Sequence, residues 1–155
     1  MRRSLARQPA APRPRPALLA FPPVTAPRAT RWFLAGLSAF VLFGALYGGA
    51  CLARWPSDGG PLRMPAEWMT GTIFGSYRIP GLILLVAVGG SSGASLAALL
   101  LGRPWARAAA LAAGAVLFGW ISAQVAILGL VHPLQPILGA TGLALLGLAA
   151  WWRGG

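Results

Sequence analysis

The 155-residue chain is 57% apolar and only 10% charged, with thirteen basic residues against two acids and a formal net charge of +11. An ordinary soluble domain has about a quarter of its residues charged, so this composition excludes a soluble surface over most of the chain. One cysteine and one histidine exclude an internal disulfide and argue against a metal centre or an autonomous hydrolase.

Residues 1–31 form the first element, an Arg/Pro/Ala-rich tail. All thirteen basic residues are arginine, and seven of them (Arg2, Arg3, Arg7, Arg13, Arg15, Arg28 and Arg31) precede the first apolar run. Repeated prolines remove backbone donors and push their predecessors toward extended conformations, which predicts a disordered cytoplasmic arm. Such an arm can hold an N-terminus at anionic lipids. It could also neutralise phosphates, but no nucleic-acid-binding fold signature accompanies it, so nucleic acid is not the expected partner. Arg2-Arg3 lies some thirty residues before any apolar segment, too far for a twin-arginine export signal. The absence of lysine and asparagine fits a GC-rich bacterial genome.

From residue 32 onward four uncharged windows follow, with helices expected at about 32–53, 79–102, 106–131 and 134–152. Each reaches the roughly 18–20 residues that cross a hydrocarbon core of about 30 Å. The fold class is therefore all-α: a membrane-embedded antiparallel four-helix bundle over residues 32–155. Arginine placement orients it. Ten arginines lie in the tail, second loop and C-terminus, against Arg54, Arg63 and Arg78 on the other side. The positive-inside bias puts both termini in the cytoplasm, in a bacterial inner membrane.

In the first window Trp32 and Trp55 bracket the apolar run, and Gly44 and Gly48 form a small-xxx-small pair suited to helix packing. Cys51 follows Gly48-Gly49-Ala50 without the leucine expected of a lipoprotein cleavage site, and reads as a small thiol near the helix end. The loop "WPSDGGPLRMPAEWMTGTIFGSYRI", residues 55–79, opens on Pro/Gly turns. It offers one short helical turn at Pro65-Ala66-Glu67. Its rings predict that it lies against the membrane interface, and Glu67, Tyr77 and Arg78 are its candidate ligand or partner contacts. Pro80 falls in the first turn of the next helix, where a missing amide costs no hydrogen bond.

The pattern Gly71-Thr72-x-Phe74-x-x-Tyr77-x-Ile79-Pro80-Gly81-Leu82-Ile83-Leu84 resembles the outer-loop signature of an uncharacterised family of small bacterial four-helix integral membrane proteins. "WISAQVAILG" (120–129) and "HPLQPILGATGL" (132–143) are similar to that group's third and fourth helices. The chain departs from the pattern at Ile73, where proline is common, and at Ser76, where an acid is common. The resemblance implies a four-helix membrane fold over about residues 32–152 and carries no established activity.

The second window holds another four-residue glycine spacing, Gly89 and Gly93, beside serines able to bond to their own helix carbonyls. A GGxxGA run also occurs in small fluoride channels, but Ala97 stands where an arginine is required and the chain has no asparagine. Farther along, Gln124 and His132 are the polar candidates for ligand or partner contact, Gln124 within the third window and His132 in the tight turn before the fourth. No helix carries an acid, which argues against a proton-coupled exporter, and a lone cysteine cannot serve quinone-linked thiol chemistry. No catalytic, cofactor-binding or metal-binding residue is assigned and no enzymatic activity is expected. The leading functional expectation is an accessory or structural membrane protein acting through helix contacts, self-associated or beside another membrane protein. The alternative is a passive channel or small-molecule-binding transport subunit with the first loop near its entrance.

Overall fold

The computed structural model describes residues 28–152, and the expected arm over residues 1–27 lies outside them, as does Arg153. Among the described residues there are four long helices and no strand: α1 (Arg28–Arg54), α2 (Arg78–Leu100), α3 (Ala106–Leu128) and α4 (Leu134–Trp151). All four are long and apolar enough to cross a membrane. Their surfaces agree with that capacity. Phe33, Phe43, Val86 and Leu143 are all more than half exposed, an apolar exterior that water would penalise.

α1 already includes residues 28–31, which the sequence pattern assigned to the tail. The last proline of the tail is Pro27, and beyond it nothing interrupts the backbone ladder. Arg31 also gains a tertiary role, its guanidinium donating to the carbonyls of Leu99 (2.6 Å) and Leu100 (3.0 Å) at the end of α2. Arg107 near the start of α3 does the same at the end of α4, donating to Ala149 and Ala150, each at 3.1 Å. The last carbonyls of a helix have no partner in the helix itself, and a cation there also meets the negative end of the dipole. Two arginines counted from the sequence only for orientation thus bind helix ends together.

The core is built from small residues. Ala98, Ala110, Ala113, Ser38, Ser92 and Ser95 are fully buried, interspersed with Leu34, Leu99, Leu117 and Leu145. In hydrocarbon, apolar side chains gain little by leaving lipid, so association rests on close packing and interhelical hydrogen bonds. The Ser38 and Ser95 hydroxyls supply one such bond between α1 and α2, at 2.9 Å.

The tightest helix approaches are at glycines other than those singled out by spacing. A β-carbon on Gly81 would meet the Ala53 amide nitrogen at 2.7 Å and the Gly49 carbonyl oxygen at 3.0 Å. Gly49 is equally closed, and Gly114 and Gly142 face each other's backbone between α3 and α4. Of the four expected packing glycines, Gly48, Gly89 and Gly93 make ordinary side-chain contacts at 3.4 to 3.6 Å, whereas a β-carbon on Gly44 would meet nothing within 4 Å. Spacing reveals small residues, but only the rotation of each helix decides which of them faces a backbone.

α2 is not a uniform α-helix. Residues Leu84–Gly89 take π-helical geometry, between α-helical Arg78–Ile83 and Gly90–Leu100. π-segments are rare and often accompany functional sites. Ser91 bonds back to the Ala87 carbonyl at 2.6 Å at the end of this segment, the local serine–carbonyl bond expected for this run.

The glycine geometry predicts a sharp contrast. Gly81→Val should destabilise the protein by about 1–3 kcal/mol through overpacking, while Gly44→Ala should stay within about 0.5 kcal/mol of the parent. Thermal unfolding of both variants in one detergent reads the difference.

Candidate functional site

A cavity of about 530 Å³ lies at the end of the bundle that carries the first and third loops. Its volume is within the roughly 300–1,000 Å³ range of small-molecule sites. α1 contributes Val41, Gly44 and Gly48, and α2 contributes Leu84 and Val88 from the π-segment. From α3 come Leu117, Trp120 and Gln124, and from α4 Leu134 and Leu138. The α1 lining runs from Phe40 to Leu52 and the α3 lining from Leu117 to Leu128, a depth of about 16 Å at 1.5 Å per residue. Phe40, Tyr47, Ile127 and Leu134 are exposed and also belong to the wall. The cavity therefore opens sideways through the apolar surface as well as toward the loops.

The first loop closes over this end. It carries two 3-10 turns, Gly60–Leu62 and Ala66–Met69; the second forms where Pro65-Ala66-Glu67 predicted one, and its Met69 is buried with Leu52 and Tyr77 against Leu62, Trp68 and Leu84. Tyr77 holds the loop at two points. Its hydroxyl donates to the Pro65 carbonyl at 2.7 Å and its amide to the Pro56 carbonyl at 2.9 Å. Only 2% of Tyr77 is exposed. Burial pushes its phenol above the usual tyrosine range, with the Glu67 carboxylate adding to the effect.

The third loop is pinned by Gln135, buried at the start of α4. Its Oε1 accepts from the Val131 amide at 2.9 Å and the His132 amide at 3.2 Å. His132 accepts the Leu134 amide at Nδ1, at 3.2 Å, which makes Nε2 the donor of the neutral ring.

Of the five candidate contact residues, the structure gathers Tyr77, Gln124 and His132 around the cavity. Arg78 and Glu67 do not line it. Arg78 borders a separate hollow of about 480 Å³ with Pro56, Ser57, Ala66, Met69, Gly75 and Ser76, and Glu67 is exposed on the loop.

Sequence reasoning missed two contributors. Arg63, counted before only as a loop charge, lies on the cavity wall. Trp120 also lines it, and its indole Nε1 is buried without a hydrogen-bond partner. Nothing in the spacing of the loop marks Arg63, whereas a tryptophan four residues before an intramembrane glutamine was a usable signal for Trp120.

No cluster of three or more histidine, cysteine or acidic residues capable of holding a metal occurs among the described residues. Cys51 is buried as a free thiol. In comparisons with known proteins, no family model, no curated protein and no solved structure matches the chain. The likeness of the 71–84 pattern to small four-helix membrane proteins accordingly rests on those residues alone.

Tyr77 yields a pH prediction. A raised folded-state pKa means that the folded protein holds the phenolic proton more tightly than the unfolded chain. The associated stability is full below the ordinary value of 10.0 and declines as pH rises through the folded value. Unfolding temperature should therefore fall more steeply above about pH 10 in the parent than in Tyr77→Phe. At neutral pH the same variant should lose about 0.5–1.5 kcal/mol with the bond to Pro65.

Proposed function

We propose that this chain is a multi-pass protein of the bacterial cytoplasmic membrane that holds an apolar small molecule in the cavity beneath its first loop. The helices form an antiparallel bundle with both termini cytoplasmic, and the cavity occupies the outer half of the membrane. Ten arginines against three support that orientation, as does the arginine-rich tail, whose partner on this reading is anionic lipid.

The cavity is the observation that carries the functional part. It is apolar along its length, has a few polar groups at its mouth, and opens laterally where a lipid-soluble ligand would arrive. Below it Leu34, Leu99 and Leu145 are fully buried with Ala98 and Ala110. That closed core favours a binding protein over a passive channel. The likeness to small four-helix membrane proteins is compatible with this reading and adds no activity to it. No enzymatic step is proposed.

A second reading, an accessory protein acting through helix contacts with a further copy or another membrane protein, has one observation in its favour. Phe33, Phe40, Phe43 and Tyr47 make an exposed aromatic stripe along one side of α1, at the spacing of a helix-contact seam.

Dibrominated octadecanol tests the binding reading, because bromine quenches tryptophan on contact and Trp68 and Trp120 line the cavity. Protein in neutral detergent should show saturable quenching, and Gly44→Leu, which has room for a larger side chain, should abolish the saturable part. Equal, unsaturable quenching in both proteins would overturn it. Orientation is tested separately in a Cys51→Ala background. An impermeant thiol reagent added outside intact cells should label Ser57→Cys and leave Ser4→Cys unlabelled; the reverse pattern would invert the topology.

A further inference from the structure

Resting on the cavity as a binding site, we propose that its occupant is a single-chain amphiphile with an anionic head, such as a long-chain carboxylate, whose head is received by Arg63.

The chemistry of the wall is one-sided. Neither acid of the chain lines the cavity. The Asp58 carboxylate accepts the Gly60 amide within the loop at 2.9 Å, and Glu67 is exposed outside the wall. The Tyr77 hydroxyl donates to the Pro65 carbonyl and the Gln135 Oε1 accepts from the Val131 and His132 amides, which leaves the Gln135 side-chain NH2 as a donor as well. What remains is a set of donors: the Arg63 guanidinium and His132 with Nδ1 already accepting. Gln124 offers both a donor and an acceptor. A head rich in acceptors and carrying negative charge complements that set. A cationic head would meet Arg63 with no carboxylate to offset it.

Arg63 is also held where it stands. It is the one residue other than glycine with positive φ among the described residues, at φ 48° and ψ 48°. A β-carbon makes that left-handed region costly, and such positions persist where the surroundings overdetermine them. Here the Arg63 amide closes the 3-10 turn on the Gly60 carbonyl at 3.0 Å. The loop spends backbone strain to keep a cation at the mouth of an apolar cavity.

The dimensions select the tail. A depth of about 16 Å along α3 is about half of a 30 Å hydrocarbon core, the reach of a chain from one leaflet. The exposed Phe40 and Leu134 on the open side let such a chain enter from the lipid without crossing the loop.

The test compares dibrominated stearate with dibrominated octadecanol, the same chain with and without the charge, on the full-length protein in neutral detergent at pH 8. Tryptophan quenching is read for the parent, Gly44→Leu and Arg63→Asn. Asparagine tolerates the left-handed backbone, so the last variant removes the charge while keeping the loop. Stearate should bind about tenfold more tightly than octadecanol, a difference of one charge-assisted contact. Arg63→Asn should remove that preference, bringing stearate to the affinity that octadecanol has for the same variant. Equal affinity for the two ligands in the parent, with both lost in Gly44→Leu, would overturn the anionic head and leave the cavity reading standing. A stearate preference that survives Arg63→Asn would overturn the role of Arg63. Absence of saturable binding by either ligand would overturn the cavity reading and this inference together.

Discussion

The close approach of backbone to backbone at two glycine pairs governs the rest of this molecule. Gly49 with Gly81 draws α1 against α2 near the first loop, and Gly114 with Gly142 draws α3 against α4. Both contacts are too tight for a β-carbon, so the two helix pairs cannot slide or rotate freely. On the membrane reading proposed for the chain, lipid is as apolar as leucine, and such contacts with a few polar bonds would hold the helices together. Once each pair is closed, the space between the pairs is what remains. At the second-loop end Leu34, Leu99 and Leu145 fill it; at the first-loop end it is the cavity.

Polar groups are distributed in keeping with that arrangement. Arg31 and Arg107 each reach from the start of one helix to the terminal carbonyls of its neighbour, satisfying acceptors that a helix cannot satisfy internally. At the opposite end the loops satisfy themselves, through Tyr77 on Pro56 and Pro65 and Gln135 on Val131 and His132. Arg63, whose guanidinium neither loop engages, then borders the cavity. The π-segment Leu84–Gly89 places Leu84 and Val88 on the same wall.

Part of the candidate site was legible beforehand. Tyr77, Gln124 and His132 stand out in an apolar chain because intramembrane and loop-edge polar residues are few, and all three border the cavity. Glu67 and Arg78 were equally conspicuous and sit elsewhere, because sequence proximity to Tyr77 does not say which way a turn points its neighbours. Gly44 illustrates the same limit from the other direction. Its spacing from Gly48 suited a packing face, yet it stands open beside the cavity. Arg63 drew notice only as a loop charge, since its place at the site depends on a left-handed backbone and a cavity that only folding creates.

The sequence by itself determined the number of helices, their approximate bounds, and the turn at Ala66–Met69. Each follows from local rules: the length of an uncharged run, the place of proline in a first turn, the propensity of short loops. It also determined that the chain would bury small residues, given its alanine and glycine content. The tertiary structure alone decided which glycines meet a backbone, that α1 takes in residues 28–31, and which polar groups converge. Those outcomes depend on the rotation and offset of each helix against its neighbours. A hydropathy pattern leaves these free, whereas a contact in which a β-carbon on Gly81 would meet the Ala53 amide nitrogen at 2.7 Å does not.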